Sequence, residues 1–315
     1  MEFSDNFHIF ASIATAIFLE GMPFLALGAL VSAVIEVYVP VERISRFIPG
    51  NFPGGVALGL TAGFLVPTCE CGVVPIVRRL ILKGVPPYVA VTYMLAAPII
   101  NPLVLASTYV AFRGNLTMVV GRIVIAAIVA AALGLFVRRA HSSHILKSTD
   151  HDQSSLAGHD HGRHRFESHE GCRVQSDPGP TRFGKVTHTL NHAALDFLEM
   201  GKFLVLGAFA AAFFKTFLPQ EVFTYFGGSL ILSICGMMIL AVLLSICSEA
   251  DAFVAASFVS FPQAAQLAFV TIGPMVDLKL IGMYAGTFHR RLFVALLIVP
   301  TLLVFILSFA YGMFM

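Results

Sequence analysis

The run Pro67-Thr68-Cys69-Glu70-Cys71-Gly72-Val73-Val74-Pro75 decides how this chain is built. It sets two thiols around a carboxylate, between two prolines, inside one of the most apolar stretches of the sequence, Val56 to Leu82. Proline lacks the backbone donor that a helix needs and clashes with the preceding turn, so a helix passing through here is interrupted. A broken backbone and an acid at membrane depth are tolerated where they are enclosed by protein or line a cavity, which marks a functional site.

That the surroundings are a membrane follows from composition. The 315 residues are 57% hydrophobic and only 12% charged, with mean hydropathy +0.84, against about 25% charged in a soluble domain. Apolar windows near the roughly 20 residues needed to cross a bilayer run from Phe10 to Val37, Val56 to Leu82, Val85 to Phe112, Leu116 to Val137, Ala193 to Leu218, Ser229 to Ser257, Ala264 to Gly286 and Leu292 to Phe314. The chain therefore reads as an all-α polytopic membrane protein of about eight segments. Glu2 and Asp5 are the only charges before the first segment, which lacks a basic leader region and is expected to be retained. A net charge of +2 without a basic stripe leaves nucleic acid out as a partner.

Between the fourth and fifth windows the character changes. Nine of the eleven histidines fall between His141 and His192, among Ser, Gly and Asp, and Pro178-Gly179-Pro180 ends any periodicity. This composition is that of a disordered linker. The domains expected are membrane half 1 (1–139), a His-rich cytoplasmic linker (140–192) and membrane half 2 (193–315). His151, His159, His161, His164 and His169 are candidate ligands for a loosely held divalent metal, since imidazole suits Zn, Cu and Ni. A solvated, pH-sensitive linker is the plainer account, and no cofactor is otherwise expected. His188, His192 and Asp196, spaced by four, share one face of the helix that follows, where interfacial solvation explains them.

The halves resemble each other. At an offset of 179, Phe18, Leu19, Glu20, Phe24, Leu25, Leu27, Gly28, Ala29, Ala33 and Pro40 match Phe197, Leu198, Glu199, Phe203, Leu204, Leu206, Gly207, Ala208, Ala212 and Pro219. Farther on, Cys69 meets Cys247 at 178, and Pro86, Pro98 and Asn101 meet Pro262, Pro274 and Asp277 at 176. Two repeated four-segment halves are the expected plan, with substrate held at the repeat interface where helices are interrupted. Four full spans in each half would make the repeats parallel. Re-entrant hairpins around Cys69 and Cys247 would make them inverted, and would bring Arg43, Arg46, Arg78, Arg79, Lys83, Arg138, Arg139, Arg290 and Arg291 to the side of the linker, as the positive-inside rule prefers. Ser229 to Cys247 alone nearly suffices to span, which argues the other way; the reading leans to inverted repeats.

The run from Pro67 to Pro75, followed by Gly84-Val85-Pro86-Pro87 and Ala96-Ala97-Pro98-Ile99-Ile100-Asn101-Pro102, resembles the ArsP-type (YraQ-like) family of predicted permeases. Cys247-Ser248-Glu249-Ala250-Asp251-Ala252-Phe253 and Gly273-Pro274-Met275-Val276-Asp277-Leu278-Lys279 look like that family's second motif set. The resemblance covers nearly all the chain outside the linker. It implies a bacterial inner-membrane, multi-pass permease, with trivalent organoarsenical efflux as the best-known activity of the family.

The residues support this chemistry independently. Trivalent arsenic is a soft thiophile, and soft centres select thiolates over carboxylates. Cys69, Cys71 and Cys247 are the thiols near the breaks; Cys235 reads as a small core hydrophobe, and Cys172, alone in the linker, suggests no role. The expected substrate-binding set is Cys69, Glu70, Cys71, Asn101, Cys247, Ser248, Glu249, Asp251 and Asp277. Glu20, Glu199, Glu249 and Asp251 are candidates for carrying the proton that couples export to a gradient. Ion pairing of Glu199 with Lys202, and of Glu249 or Asp251 with Lys279, is the structural alternative for these acids, as local capping is for Asn101 and Asp277.

The chain has no Walker A loop and no catalytic triad spacing, so it reads as a transporter and not an enzyme. The leading expectation is proton-coupled efflux of a thiophilic small molecule or metalloid. Export of a divalent or soft metal, and a membrane thiol-redox relay through Cys69 and Cys71, are the alternatives. Homo-oligomerisation, or recruitment of a soluble accessory subunit by the histidine linker, is compatible with either.

Overall fold

A computed structural model describes residues 2–38, 49, 51–66, 68–139, 146, 182–217 and 229–314. Within them are twelve helices: α1 (Glu2–Tyr38), α2 (Phe52–Leu65), α3 (Glu70–Leu82), α4 (Pro87–Ile100), α5 (Pro102–Ala111), α6 (Leu116–Arg139), α7 (Arg182–Phe217), α8 (Leu230–Leu244), α9 (Asp251–Ser257), α10 (Gln263–Ile272), α11 (Leu278–Thr287) and α12 (Arg290–Phe314). His8–Ile35, Pro87–Ala111, Leu116–Arg139 and Arg290–Phe314 are long and apolar enough to cross a bilayer, whereas Phe52–Leu65, Leu230–Leu244 and Gln263–Ile272 are shorter apolar helices. The described residues are nearly all helical, and four of their helical stretches have the length and composition of membrane spans. His151, His159, His161, His164, His169 and Cys172 lie outside the described residues, as do the side chains of Glu20, Glu199 and His188.

Eight apolar windows become twelve helices because the breaks are local and strong. The Val56 to Leu82 window splits at 66–69, ahead of the first turn of α3. The Ser229 to Ser257 window, long enough for one span, also splits: α8 stops at Ser245, a non-glycine residue in the left-handed region (φ 46°), and α9 starts only at Asp251. Pro98, inside α4, precedes the third break and Pro274 lies within the fourth; there Asn101 caps α5 by accepting the Val104 N–H (3.0 Å) and Asp277 caps α11 by accepting the Leu280 N–H (2.6 Å). Side-chain oxygens here satisfy donors that a helix start leaves open. α5 and α11 thus begin and end at positions 176 residues apart.

Two packing directions fix the arrangement. α1 and α7 lie antiparallel: the Phe10 and Phe209 rings are 5.9 Å apart, Leu204 packs on Gly21, and the Ser32 hydroxyl donates to Asp196 (3.0 Å). α2 and α4 lie parallel, with Gly55 on Tyr88, Gly59 on Thr92 and Gly63 on Ala96. α2 (14 residues) and α3 (13 residues) are each about 20 Å long at 1.5 Å per residue, short of a hydrocarbon core of about 30 Å. One end of the bundle gathers several of the basic residues. There Arg138 lies over the Phe52 ring (5.0 Å), Arg79 binds Asp196, and Leu146 bridges to Phe288 just ahead of Arg290 and Arg291.

Candidate functional site: a thiol cavity between the two breaks

Cys69 occupies the N-cap position of α3, Cys71 lies in its first turn, and Cys247 sits in the break after α8. All three are buried, free thiols. They line one small cavity together with Glu70, Lys279 of α11, and Ile17 and Gly21 of α1. Its volume of about 10 Å³ leaves room for one water at most, so the site is closed in this conformation.

Two glycines bring the walls this close. A Cβ on Gly28 of α1 would collide with the backbone of Gly72, next to Cys71, and a Cβ on Gly207 of α7 would lie 2.6 Å from the Cα of Lys279. These are the glycines matched at an offset of 179. Each lets one long helix press against a segment that carries a cavity side chain, as small residues do at close helix contacts.

The charges pair differently from the ion pairing that the sequence offered as an alternative. The structural alternative for Glu249 and Asp251 sets one of them against Lys279. Its ammonium instead lies between Glu70 (3.4 Å) and Asp277 (3.6 Å), while Asp251 forms a forked pair with Arg122. Arg122 Nη1 donates to Asp251 Oδ1 (3.2 Å) and to the Thr108 hydroxyl (2.7 Å), and Nη2 donates to Asp251 Oδ2 (2.7 Å). Proximity decides this, since α9 packs on α5 and α11 packs on α3. Both pairs are enclosed: relative exposure is 0% for Arg122, 1% for Asp251 and 2% for Glu70. Burying charge this deeply is tolerated only with such partners. Asp196 also corrects the reading of interfacial solvation, because it is buried and receives two bonds from Arg79 (2.8 and 3.3 Å). Lys202 lies 5.1 Å from the Phe203 ring centre.

Three buried ion pairs, Arg79–Asp196, Arg122–Asp251 and Lys279–Glu70, join the first half of the chain to the second. One oxygen of Glu70, Oε2, has no hydrogen-bond partner. Cys247 donates its thiol proton to Glu249 Oε2 (2.6 Å), and the Ser248 hydroxyl reaches the same oxygen at 3.4 Å. A soft electrophile bonding to Cys247 can therefore leave the thiol proton on Glu249.

Of the sequence-derived site residues, the fold brings Cys69, Glu70, Cys71 and Cys247 to the cavity, with Ser248 and Glu249 beside it through Cys247. Asn101 serves as a cap on the far side of the first half's second break, and Asp277 serves as both cap and neighbour of Lys279. Among the described residues, no three His, Cys, Asp or Glu side chains are grouped to hold a metal ion. Sequence reasoning missed Arg122, although an arginine inside the apolar run Leu116 to Val137 is itself a signal. Lys279 was seen only as a counter-ion, and its place in the thiol cavity depends on folding.

Interrupted apolar helices around an enclosed polar cavity are features of membrane permeases. The chain belongs to the ArsP-type family described as "Predicted permease", whose sequence profile matches residues 6–313. It is 34% identical over 302 residues to a protein of Streptococcus mutans serotype c (strain ATCC 700610 / UA159) named "Putative two-component membrane permease complex subunit", covering 96% of this chain and 94% of that one. It is 38% identical over 288 residues, 91% of each chain, to the "UPF0718 protein YcgR" of Bacillus subtilis (strain 168). No solved structure matches the chain.

Proposed function

We propose that this protein is a multi-pass permease of the cell inner membrane that exports a thiophilic small molecule, a trivalent organoarsenical first among them, in exchange for protons. One observation carries the reading: three buried thiols from both halves meet in a single cavity with Glu70 and Lys279. Thiols select soft centres, and sites contributed by both halves can be exposed alternately to either side. Binding at Cys247 balances simply. Sulfur bonds to the soft atom, the S–H proton passes to Glu249, and a hydroxide leaving the cargo departs as water with that proton.

The antiparallel course of α1 and α7, whose sequences match, favours inverted repeats, each of three crossings and one re-entrant hairpin (α2–α3 and α8–α9). Basic residues at one end, where α6 ends at Arg139, favour that end as cytoplasmic. Glu249 and Asp251 are the proton-coupling acids we favour. Arg122 holds Asp251 in the present state, so titration of Asp251 requires that pair to open. The name of the Streptococcus mutans relative supports a second reading, in which this chain works with an accessory subunit; deletion of 145–180 would then abolish function, whereas a self-sufficient permease would keep it.

The test is resistance of an arsenic-sensitive bacterial strain expressing the chain to trivalent methylarsenical, arsenite and zinc, with Cys69→Ser and Glu249→Gln at matched membrane levels. Methylarsenical resistance that both variants lose is the expected result. Protection against zinc alone would overturn the arsenical assignment and turn attention to His151, His159, His161, His164 and His169.

A further inference from the structure

A closed site of about 10 Å³ must open before any cargo enters, and its walls differ in how they can move. Glu70 and Lys279 are held by their ion pair, Cys69 and Cys71 by the packed core, and Cys247 by its hydrogen bond to Glu249. The remaining wall is Ile17 and Gly21 of α1. Ile17 belongs to a small apolar cluster separate from the main core, comprising Ile17, Ala208 and Ala211 with Ile13 and Leu278 at its edge. A cluster with so few buried apolar contacts is among the parts of a fold that open most readily.

On the far side of this cluster lies a groove of about 430 Å³ between α1 and α7, lined by Phe10, Ala14, Phe18, Val205, Ala208 and Phe209 among others. Ala208 belongs to both cluster and groove. The volume is that of a small-molecule site. The one side-chain hydroxyl in the lining, on Thr15, spends its proton on the Ala11 carbonyl (2.7 Å), so the groove offers little to a hydrated or ionic solute. Around it the two helices expose Leu19, Leu206 and Phe209 on their outer surface, which faces lipid in a membrane protein.

We propose that the α1–α7 groove is a lateral portal, through which an apolar-bodied, thiol-reactive molecule dissolved in the bilayer reaches Cys69, Cys71 and Cys247 when the Ile17–Ala208–Ala211 plug opens. The proposal rests on the thiol cavity being the cargo site. Leu278 ties the plug to that site, being next to Lys279 and donating its N–H to Ser245 at the break before Cys247 (3.1 Å).

The test measures access instead of transport. The full chain carrying Cys172→Ser and Cys235→Ser is reconstituted in phosphatidylcholine vesicles. It is treated with a bilayer-partitioned pyrenyl maleimide or a charged sulfonated maleimide present on both faces, and labelled cysteines are identified by mass spectrometry. The pyrenyl reagent is expected to label the cavity thiols and the sulfonated one to label them slowly. Ile17→Ala should speed pyrenyl labelling about tenfold, equivalent to about 1.4 kcal/mol of closure, and Ala208→Phe, which fills the groove, should slow it comparably. Both should leave the sulfonated rate unchanged, which also reports an intact fold. Equal labelling by both reagents, or pyrenyl rates indifferent to both variants, overturns the portal. So does loss of a co-purified phospholipid from Ala208→Phe without a change in labelling, which would make the groove a lipid site. If the portal behaviour appears while methylarsenical resistance fails, the cargo assignment falls and the route stands.

Discussion

Replacing Arg122 with methionine tests how the two halves are held together. The guanidinium makes three hydrogen bonds, two to Asp251 and one to Thr108, and both ionic partners are essentially excluded from solvent. Arg122→Met keeps an unbranched apolar stem but leaves the Asp251 carboxylate buried without a counter-charge, which costs about 3–5 kcal/mol. Replacing both partners by apolar residues, as in Arg122→Met with Asp251→Leu, removes the stranded charge as well, and buried pairs replaced in this way are often neutral to stability. The chain contains no tryptophan, but its buried Cys69, Cys71 and Cys247 supply an intrinsic reporter: a thiol-reactive fluorophore follows their exposure on heating in detergent. At about 2–4 °C per kcal/mol, the single variant should melt on the order of 10 °C lower, and the double variant should recover most of that loss. A double variant as unstable as the single would refute the argument, since the loss would then come from packing and not from an uncompensated charge.

Gly28→Leu and Gly207→Leu should each force a long helix away from the segment it supports and raise the labelling rate of the cavity thiols at room temperature, at a cost of about 1–3 kcal/mol or more from overpacking; unchanged thiol protection would show that α1 and α7 do not hold the cavity shut. Lys279→Met leaves Glu70 and Asp277 without their shared cation, so it should lower the amount of protein recovered from membranes, and Glu70→Gln in the same chain should restore yield without restoring methylarsenical resistance. Asn101→Ala should cost about 1 kcal/mol as a lost cap, whereas Asn101→Ser should be nearly silent in both melting and resistance; loss of resistance in Asn101→Ser with normal melting would instead make Asn101 a cargo ligand.

The places where helices stop were legible because their causes are local. Pro98 and Pro274 remove backbone donors, and Asn101 and Asp277 follow three residues later as caps. The break at Ser245 was harder to see, since the apolar run around it contains no proline and the stop depends on a serine in the left-handed region. Gly28 and Gly207 stood out in the sequence as matched residues, although the close helix contact that each makes did not.

The sequence by itself determined that this is a helical membrane protein with paired interruptions and thiols beside them, because hydropathy, proline and capping act over a few residues. Tertiary structure alone decided which charges meet: Lys279 chose Glu70 across 209 residues, Arg122 chose Asp251 across 129, and Arg79 chose Asp196 across 117. In a medium without water, each buried charge must find a partner within a few ångströms. Which partner is near is set by how whole helices pack, and no local pattern encodes that.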